Sequence, residues 1–289
     1  MPSSRDRAFP PLSLQGRHLH FDAPQLMAVV NVTPDSFYDG GRHVDPERAI
    51  TFAHAAVRAG AAIVDVGGES TRPGAEPVSA EEQLRRVLPV ILELASAGLA
   101  VSVDTTSAVV ADAALDAGAC MVNDISGGAL DPGLLAVAAD HGAALVLQHL
   151  RGTPATMQRE IRFTDVVDEV IRELVARQEA AVAAGVDPRR ILVDPGIGFG
   201  KTPQQCVALL AAGARIAAAC DAPVLVGPSN KSFIGAITGA PVDERLPGTV
   251  AACLLARQRG AHVFRVHDVA AVAQAFALAR AFDEALSPG

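Results

Sequence analysis

Eight short apolar runs recur along the chain, at 27–31, 61–67, 100–104, 120–124, 143–149, 191–194, 223–226 and 261–266. Each is separated from the next by a stretch with helical character. No other feature narrows the fold as far. The runs are rich in Val and Ile and do not alternate apolar with polar, as strands buried on both faces of a parallel sheet require. Parallel neighbours need a crossover connection, and a helix is the usual one. Gly60, Gly98, Gly118, Gly142 and Gly260 stand just ahead of five of the runs, where the preceding helix has to stop.

The intervening stretches support helices. Ser79-Ala-Glu-Glu82 has the form of a capping box. Behind it Leu84, Val87, Leu88, Ile91 and Leu92 predict an apolar stripe, with Pro89 expected to kink that helix. Val166, Val167, Val170, Ile171, Leu174 and Val175 predict a second stripe ending near Gly185. Residues 211–219 and 270–279 read as Ala-rich helices.

Eight alternating units in about 260 residues suit a (β/α)8 TIM barrel in the α/β class, read as a single domain. A doubly wound open sheet is the runner-up. Polar strand ends separate the two. Nearly every run closes on a polar residue: Asn31, Asp65, Asp104, Asn123 with Asp124, His149, Asp194 and Arg265, with Ser229, Lys231 and His267 just beyond their runs. An open sheet concentrates its site at one switch point, whereas a barrel brings all eight ends to one mouth. Residues 1–24 read as a polar N-terminal arm and 25–289 as the barrel. Without an apolar leader, or a run near the ~18 residues of a membrane span, the expectation is a cytoplasmic protein.

Charge limits the partners. The 289-residue chain carries 24 Lys and Arg against 32 Asp and Glu, a net charge of −8. Nucleic acid and anionic membranes are therefore poor partners, and an anionic substrate needs a local cationic cluster. Lys231, Arg265, His267 and Arg72 can form one, suited to a diphosphate or carboxylate. Asp104, Asn123 and Asp194 end three different strands and suit a ligand edge rich in N–H donors, such as an aminopyrimidinone ring; each Asp taken alone could equally cap a helix. The four cysteines stand far apart, without the spacing of a zinc site or a disulfide framework. Pro195 spoils a phosphate-loop match at Gly196-Ile-Gly-Phe-Gly-Lys-Thr202, and Lys201 spoils a dinucleotide fingerprint. No nucleophile–base arrangement stands out. Mg2+ shared between substrate phosphates and one or two protein oxygens remains open, with Asn31, Asp35 and Asp39 as candidates.

Taken together, these motifs resemble the dihydropteroate synthases, pterin-binding barrel enzymes of folate biosynthesis and targets of sulfonamides. The blocks that carry the resemblance are Asn-Val-Thr-Pro-Asp-Ser-Phe at 31–37 with Asp-Gly-Gly at 39–41, Asp-Val-Gly-Gly-Glu-Ser-Thr-Arg-Pro-Gly at 65–74, Val-Asp-Thr at 103–105, Asn-Asp-Ile-Ser-Gly-Gly at 123–128, Gly-Thr-Pro-Ala-Thr-Met-Gln at 152–158, Asp-Pro-Gly-Ile-Gly-Phe-Gly-Lys-Thr at 194–202, Ser-Asn-Lys-Ser at 229–232 and Arg-Val-His-Asp-Val at 265–269. The resemblance implies a transferase that condenses 6-hydroxymethyl-7,8-dihydropterin diphosphate with p-aminobenzoate, releasing pyrophosphate, with Mg2+ and as a homodimer. It implies that Asp104, Asn123, Asp194 and Lys231 hold the pterin, and that Phe199 lines the pocket. Asn31, Arg265 and His267 hold the diphosphate, with Asn31 near the metal. Phe37 and Asp39 belong to a first mobile loop, Thr71, Arg72 and Pro73 to a second, and Ser232 takes the p-aminobenzoate carboxylate.

Three departures stand out. Asn230 replaces a usual arginine, Tyr38 a usual serine, and Gln-His-Leu-Arg at 148–151 differs from the common Met-His-Met-Gln. Loss of the charge at Asn230 predicts weaker p-aminobenzoate affinity or an altered sulfonamide response. A non-catalytic pterin-binding paralogue and a methyltransferase acting on methyl-tetrahydrofolate are the alternatives. The methyltransferase has no use for a diphosphate clamp.

Overall fold

The computed structural model describes residues 9–14, 16–33, 46–72 and 74–286. The predicted runs are all strands: β3 (Gln25–Asn31), β4 (Ile63–Gly67), β5 (Val101–Asp104), β6 (Met121–Asp124), β7 (Ala144–Gln148), β8 (Ile191–Asp194), β9 (Leu225–Val226) and β10 (Val263–Val266). Their spatial order is β8-β7-β6-β5-β4-β3-β10-β9, and every pair is parallel. A parallel bridge between Val193 and Val224 brings the two edges together. The sheet therefore closes as a TIM barrel rather than lying open.

Helices α1 (Pro46–Arg58), α2 (Ala80–Ser96), α3 (Ala108–Asp116), α4 (Gly133–Asp140), α5 (Val166–Ala183), α6 (Pro203–Ala211), α7 (Gly213–Cys220), α8 (Ser232–Thr238), α9 (Leu246–Gln258) and α10 (Val269–Leu286) surround it. The main apolar layer lies between strands and helices, where Val64, Val66, Val103 and Val122 meet Val90, Leu94, Val110 and Leu174. All four cysteines are free and buried.

Three helical details depart from expectation. Helix α2, Ala80–Ser96, contains Pro89, and its buried face is Gln83, Val87, Val90, Ile91 and Leu94. Of the predicted stripe, Val87 and Ile91 are buried and Leu84 packs on the core, while Leu92 is exposed, because packing against β4 and β5 also turns Val90 and Leu94 inward. Ser79 caps the helix by accepting from the Glu82 N–H at 3.3 Å, yet the Glu82 carboxylate binds Arg85 and Arg86 instead of returning to the cap. The predicted helix at 211–219 is α7, which begins two residues later at Gly213, with Ala212 separating it from α6.

Within the polar N-terminal stretch a hairpin forms, β1 (Leu12–Leu14) paired antiparallel with β2 (Arg17–Leu19). Leu12, Leu14 and Leu19 pack with Met27, Ile63, Met121, Val146, Leu192, Leu225 and Val263. These strand residues lie toward the N-terminal ends of the barrel strands, so the hairpin fills the floor and leaves the polar ends at the opposite mouth.

Candidate active site

Polar side chains converge where the strands end. Asp65 on β4, Asp104 on β5, Asn123 on β6, Gln148 on β7 and Asp194 on β8 are all buried. Arg265, on β10, reaches across the mouth: Nε donates to Asp65 Oδ2 at 2.6 Å and Nη2 to Asp104 Oδ2 at 2.5 Å. Asn123 Nδ2 donates to the same Asp65 oxygen at 2.9 Å. Two of the ring-binding candidates, Asp104 and Asn123, thus share one network with the leading diphosphate candidate. A buried cation paired with two acids is a high-stakes arrangement, since losing Arg265 would leave both acids buried without a counter-charge.

Asp194 sits below a glycine-rich turn. Its Oδ1 accepts from the Gly196 N–H at 2.7 Å. Gly196 has φ +71°, and a Cβ there would lie 2.1 Å from the His149 carbonyl oxygen, so no side chain is possible. The turn carries Phe199 into a small apolar wall with Ile125, Leu150 and Met157. Lys231 Nζ lies 4.0 Å from the centre of the Phe199 ring, a cation–π contact that holds both side chains in place.

Burial shifts the titration of these groups. It pushes Asp104 up to about 7, against the pull of Arg265, with Asp65 and Asp124 adding to the rise. It pushes Asp194 up to about 6, opposed by the Gly196 N–H and by Lys231, Lys201 and Arg265. Burial and the Arg265 charge bring Lys231 down to about 8. Burial, with Arg265, Lys231 and Arg72 nearby, lowers His267 to about 4. The Ser229 hydroxyl oxygen accepts from the His267 backbone N–H at 3.3 Å and lies 2.9 Å from His267 Nδ1. Where the Ser229 hydroxyl donates to Nδ1, the neutral ring keeps an Nε2–H donor.

The other predicted residues are placed as follows. Asn31 ends β3, and its Oδ1 and Asp104 Oδ2 both border the space that a side chain on Gly67 would fill. Thr71 and Arg72 lie on the segment after β4, where the Gly74 N–H donates to the Pro154 carbonyl at 3.2 Å. Thr71, Asp104, Ile125 and Pro154 line one cleft there. Ser232 opens α8 and is exposed. Phe37, Asp39 and Pro73, with Asp35 and Tyr38, lie outside the described residues. Asn230 has φ +55°, a left-handed conformation that asparagine tolerates better than arginine. Its N–H donates to Thr249 Oγ1 at 3.0 Å and its carbonyl accepts from Arg245 Nη1 at 3.1 Å.

Two groups escaped the sequence reading. Asp65 stands in the sequence only as a strand-end acid, although a carboxylate inside Ile-Val-Asp-Val-Gly is itself a signal. Below the glycine-rich turn, buried Lys201 Nζ lies 2.9 Å from His149 Nδ1, and His149 Nε2 lies 3.0 Å from Glu173 Oε2. Three residues scattered over 149–201 gave no spacing signal. Burial lowers Lys201 to about 7 and His149 to about 4.

Among the described residues, no group of three or more His, Cys, Asp or Glu could hold a metal ion. A site built from Asn31 and substrate phosphate oxygens needs no such group, and an amide oxygen is a suitable hard donor for Mg2+. The residues present fit an ion shared with the substrate.

The family model described as "Pterin binding enzyme" matches residues 27–267. Dihydropteroate synthase of Synechocystis sp. is 47% identical over 251 residues, 86% of each chain. The structure of Xanthomonas albilineans dihydropteroate synthase with 4-aminobenzoic acid superposes with a TM-score of 0.90 at 46% identity, covering 97% of this chain and 100% of that one. The same enzyme in complex with 7,8-dihydropteroate gives a TM-score of 0.86 at 43% identity, covering 96% and 100%.

Proposed function

The chain belongs to the pterin binding enzyme family, and we propose that it works there as a dihydropteroate synthase, joining 6-hydroxymethyl-7,8-dihydropterin diphosphate to p-aminobenzoate to give 7,8-dihydropteroate and pyrophosphate. One observation carries the reading: Arg265 and Asp104 meet at 2.5 Å at the barrel mouth, so a phosphate-binding cation stands beside the acids that suit a pterin.

Asp194, Asp104 and Asn123 bind the N–H edge of the pterin, with Lys231 beside the ring and Phe199 as apolar wall. Among the described residues Asn123 Oδ1 and Gln148 Nε2 are buried without hydrogen-bond partners, so the site holds polar atoms that a ring can satisfy. Arg265 and the Nε2–H of His267 face the diphosphate. The bond from the pterin methylene to the diphosphate oxygen breaks first, its electron pair leaving with pyrophosphate. The buried carboxylates stabilise the pterin methylene cation that remains. The neutral aniline nitrogen of p-aminobenzoate then attacks with its lone pair and loses a proton, so no strong base is needed. Asn31 would hold Mg2+, which when bound neutralises charge on the diphosphate. Ser232, at the start of α8, is the candidate for the p-aminobenzoate carboxylate.

The reading includes a homodimer and a cytoplasmic location. Leu255 on α9 and Leu278 and Phe282 on α10 are exposed, in keeping with a helix-to-helix contact between chains. No helix among the described residues is long and apolar enough to cross a membrane.

The test is to mix the protein with the pterin diphosphate, p-aminobenzoate and Mg2+ and follow pyrophosphate. Release that depends on p-aminobenzoate is expected. Release that ignores p-aminobenzoate indicates hydrolysis, and no release indicates a binding paralogue; either outcome rejects the reading.

A further inference from the structure

We infer that Asp65 is a positioning residue that holds Arg265 and Asn123 in place, so that Asp104 is free to receive the pterin. The inference rests on the dihydropteroate synthase reading of this site. Asp65 is fully buried, and its Oδ2 accepts from both Arg265 Nε at 2.6 Å and Asn123 Nδ2 at 2.9 Å. In the sheet, β4 lies two strands from β6 on one side and two from β10 on the other, so one carboxylate ties together both flanks of the mouth.

The need for it follows from counting acceptors. Arg265 binds Asp104 as well as Asp65, yet Asp104 is one of the acids the pterin needs. With Asp104 as its only anion, the guanidinium would compete with the substrate for the same oxygens. Asp65 provides a second anchor through Oδ2, the oxygen that Arg265 and Asn123 already occupy. Arg265 can then exchange its Asp104 bond for the ligand while Nε stays fixed, with its remaining N–H groups available to phosphate oxygens. The Asn123 bond works the same way: a carboxylate accepts only, so it fixes Nδ2 toward Asp65 and leaves Oδ1, which has no partner among the described residues, for the ring. A site fixed this way avoids reorganising its donors when the ring arrives.

The experiment uses Asp65→Asn, of equal size but without charge, and Asp65→Glu, which keeps the charge at a different reach. Binding of 6-hydroxymethylpterin and of inorganic pyrophosphate is measured separately by calorimetry, beside steady-state kinetics. In Asp65→Asn both dissociation constants and the KM for the pterin diphosphate should rise by on the order of tenfold or more, with kcat lowered. The KM for p-aminobenzoate should stay unchanged. Asp65→Glu should recover part of the pyrophosphate binding. If both dissociation constants stay within about twofold of wild type, or if only the active fraction falls while every KM is kept, Asp65 is merely structural and the inference is overturned. Nitrogen NMR of the wild-type guanidinium provides a test that needs no variant. The Arg265 Nε–H should remain protected from solvent exchange when 6-hydroxymethylpterin binds; loss of protection overturns the inference. Turnover by the wild type tests the parent reading separately, so failure of one is not mistaken for failure of the other.

Discussion

Asp104 and Asp194 must be ionised to take N–H bonds from a pterin, and burial pushes them up to about 7 and about 6 in the free protein. Binding therefore competes with protonation. Above pH 7 the affinity for 6-hydroxymethylpterin should level off. Below pH 7 it should fall by up to about tenfold per unit, and more steeply below 6, where a second proton competes. Calorimetry from pH 5.5 to 8.5 checks this after correction for the titration of the pterin itself; a flat profile would mean that neither acid receives the ring. Asn230→Arg supplies a cation near an anionic substrate, and the KM for p-aminobenzoate should fall by roughly fivefold. The left-handed backbone at 230 should cost about 1 kcal/mol of stability in exchange. An unchanged KM and sulfonamide response would show that the lost charge does not matter. The acids that end strands could be read from sequence because a charge closing an apolar run is conspicuous. What they bond to could not be read, since Arg265 meets Asp65 across 200 positions of the chain.

Between strands and helices the sequence is uneven evidence. Strand interiors such as Val101–Asp104 announce themselves by unbroken apolar character, and the glycines ahead of them mark where helices end. Helix phase is less legible: Gln83 is buried in α2 because its amide bonds Glu69 and the Val78 carbonyl, which no periodicity reveals. The break between α6 and α7 is hidden in a run of alanines that favours helix on both sides. Caps are the local device that tests this scale. Thr202 and Gln205 form both bonds of a capping box on α6, whereas Ser79 makes only its own on α2. Thr202→Ala and Ser79→Ala each remove one cap bond and should each cost about 1 kcal/mol, while adding Gln205→Ala to Thr202→Ala also removes the bond from the Thr202 backbone N–H to Gln205 Oε1 and should cost more. Urea midpoints of Thr202→Ala with and without Gln205→Ala decide this; equal losses would mean that the returning Gln205 bond contributes nothing.

At the scale of the whole molecule the barrel separates stability from chemistry along its axis. The mouth gathers buried charge, which lowers stability, while the floor is purely apolar and closed by the β1–β2 hairpin. Leu-Ser-Leu and Arg-His-Leu are too short to give a strand signal, and a polar neighbourhood masks them. Yet Leu12 and Leu14 are each 2% exposed, as deep as the core strands they touch. Leu14→Ala should therefore cost about 3 kcal/mol, the loss expected when a buried leucine leaves a cavity that its neighbours cannot fill. Ser13, half-buried and held through its backbone carbonyl by Arg190 at 3.2 Å, provides the control: Ser13→Ala keeps that bond and should change stability by less than about 0.5 kcal/mol. Because the hairpin lies at the opposite end from Asp104, Asp194 and Arg265, kcat and both KM values of folded Leu14→Ala should match wild type. Denaturant unfolding and kinetics on the same preparation test the two halves together. A loss under about 1 kcal/mol would show that the floor collapses around the gap. A changed KM for the pterin diphosphate would show that floor and mouth are mechanically coupled through the strands.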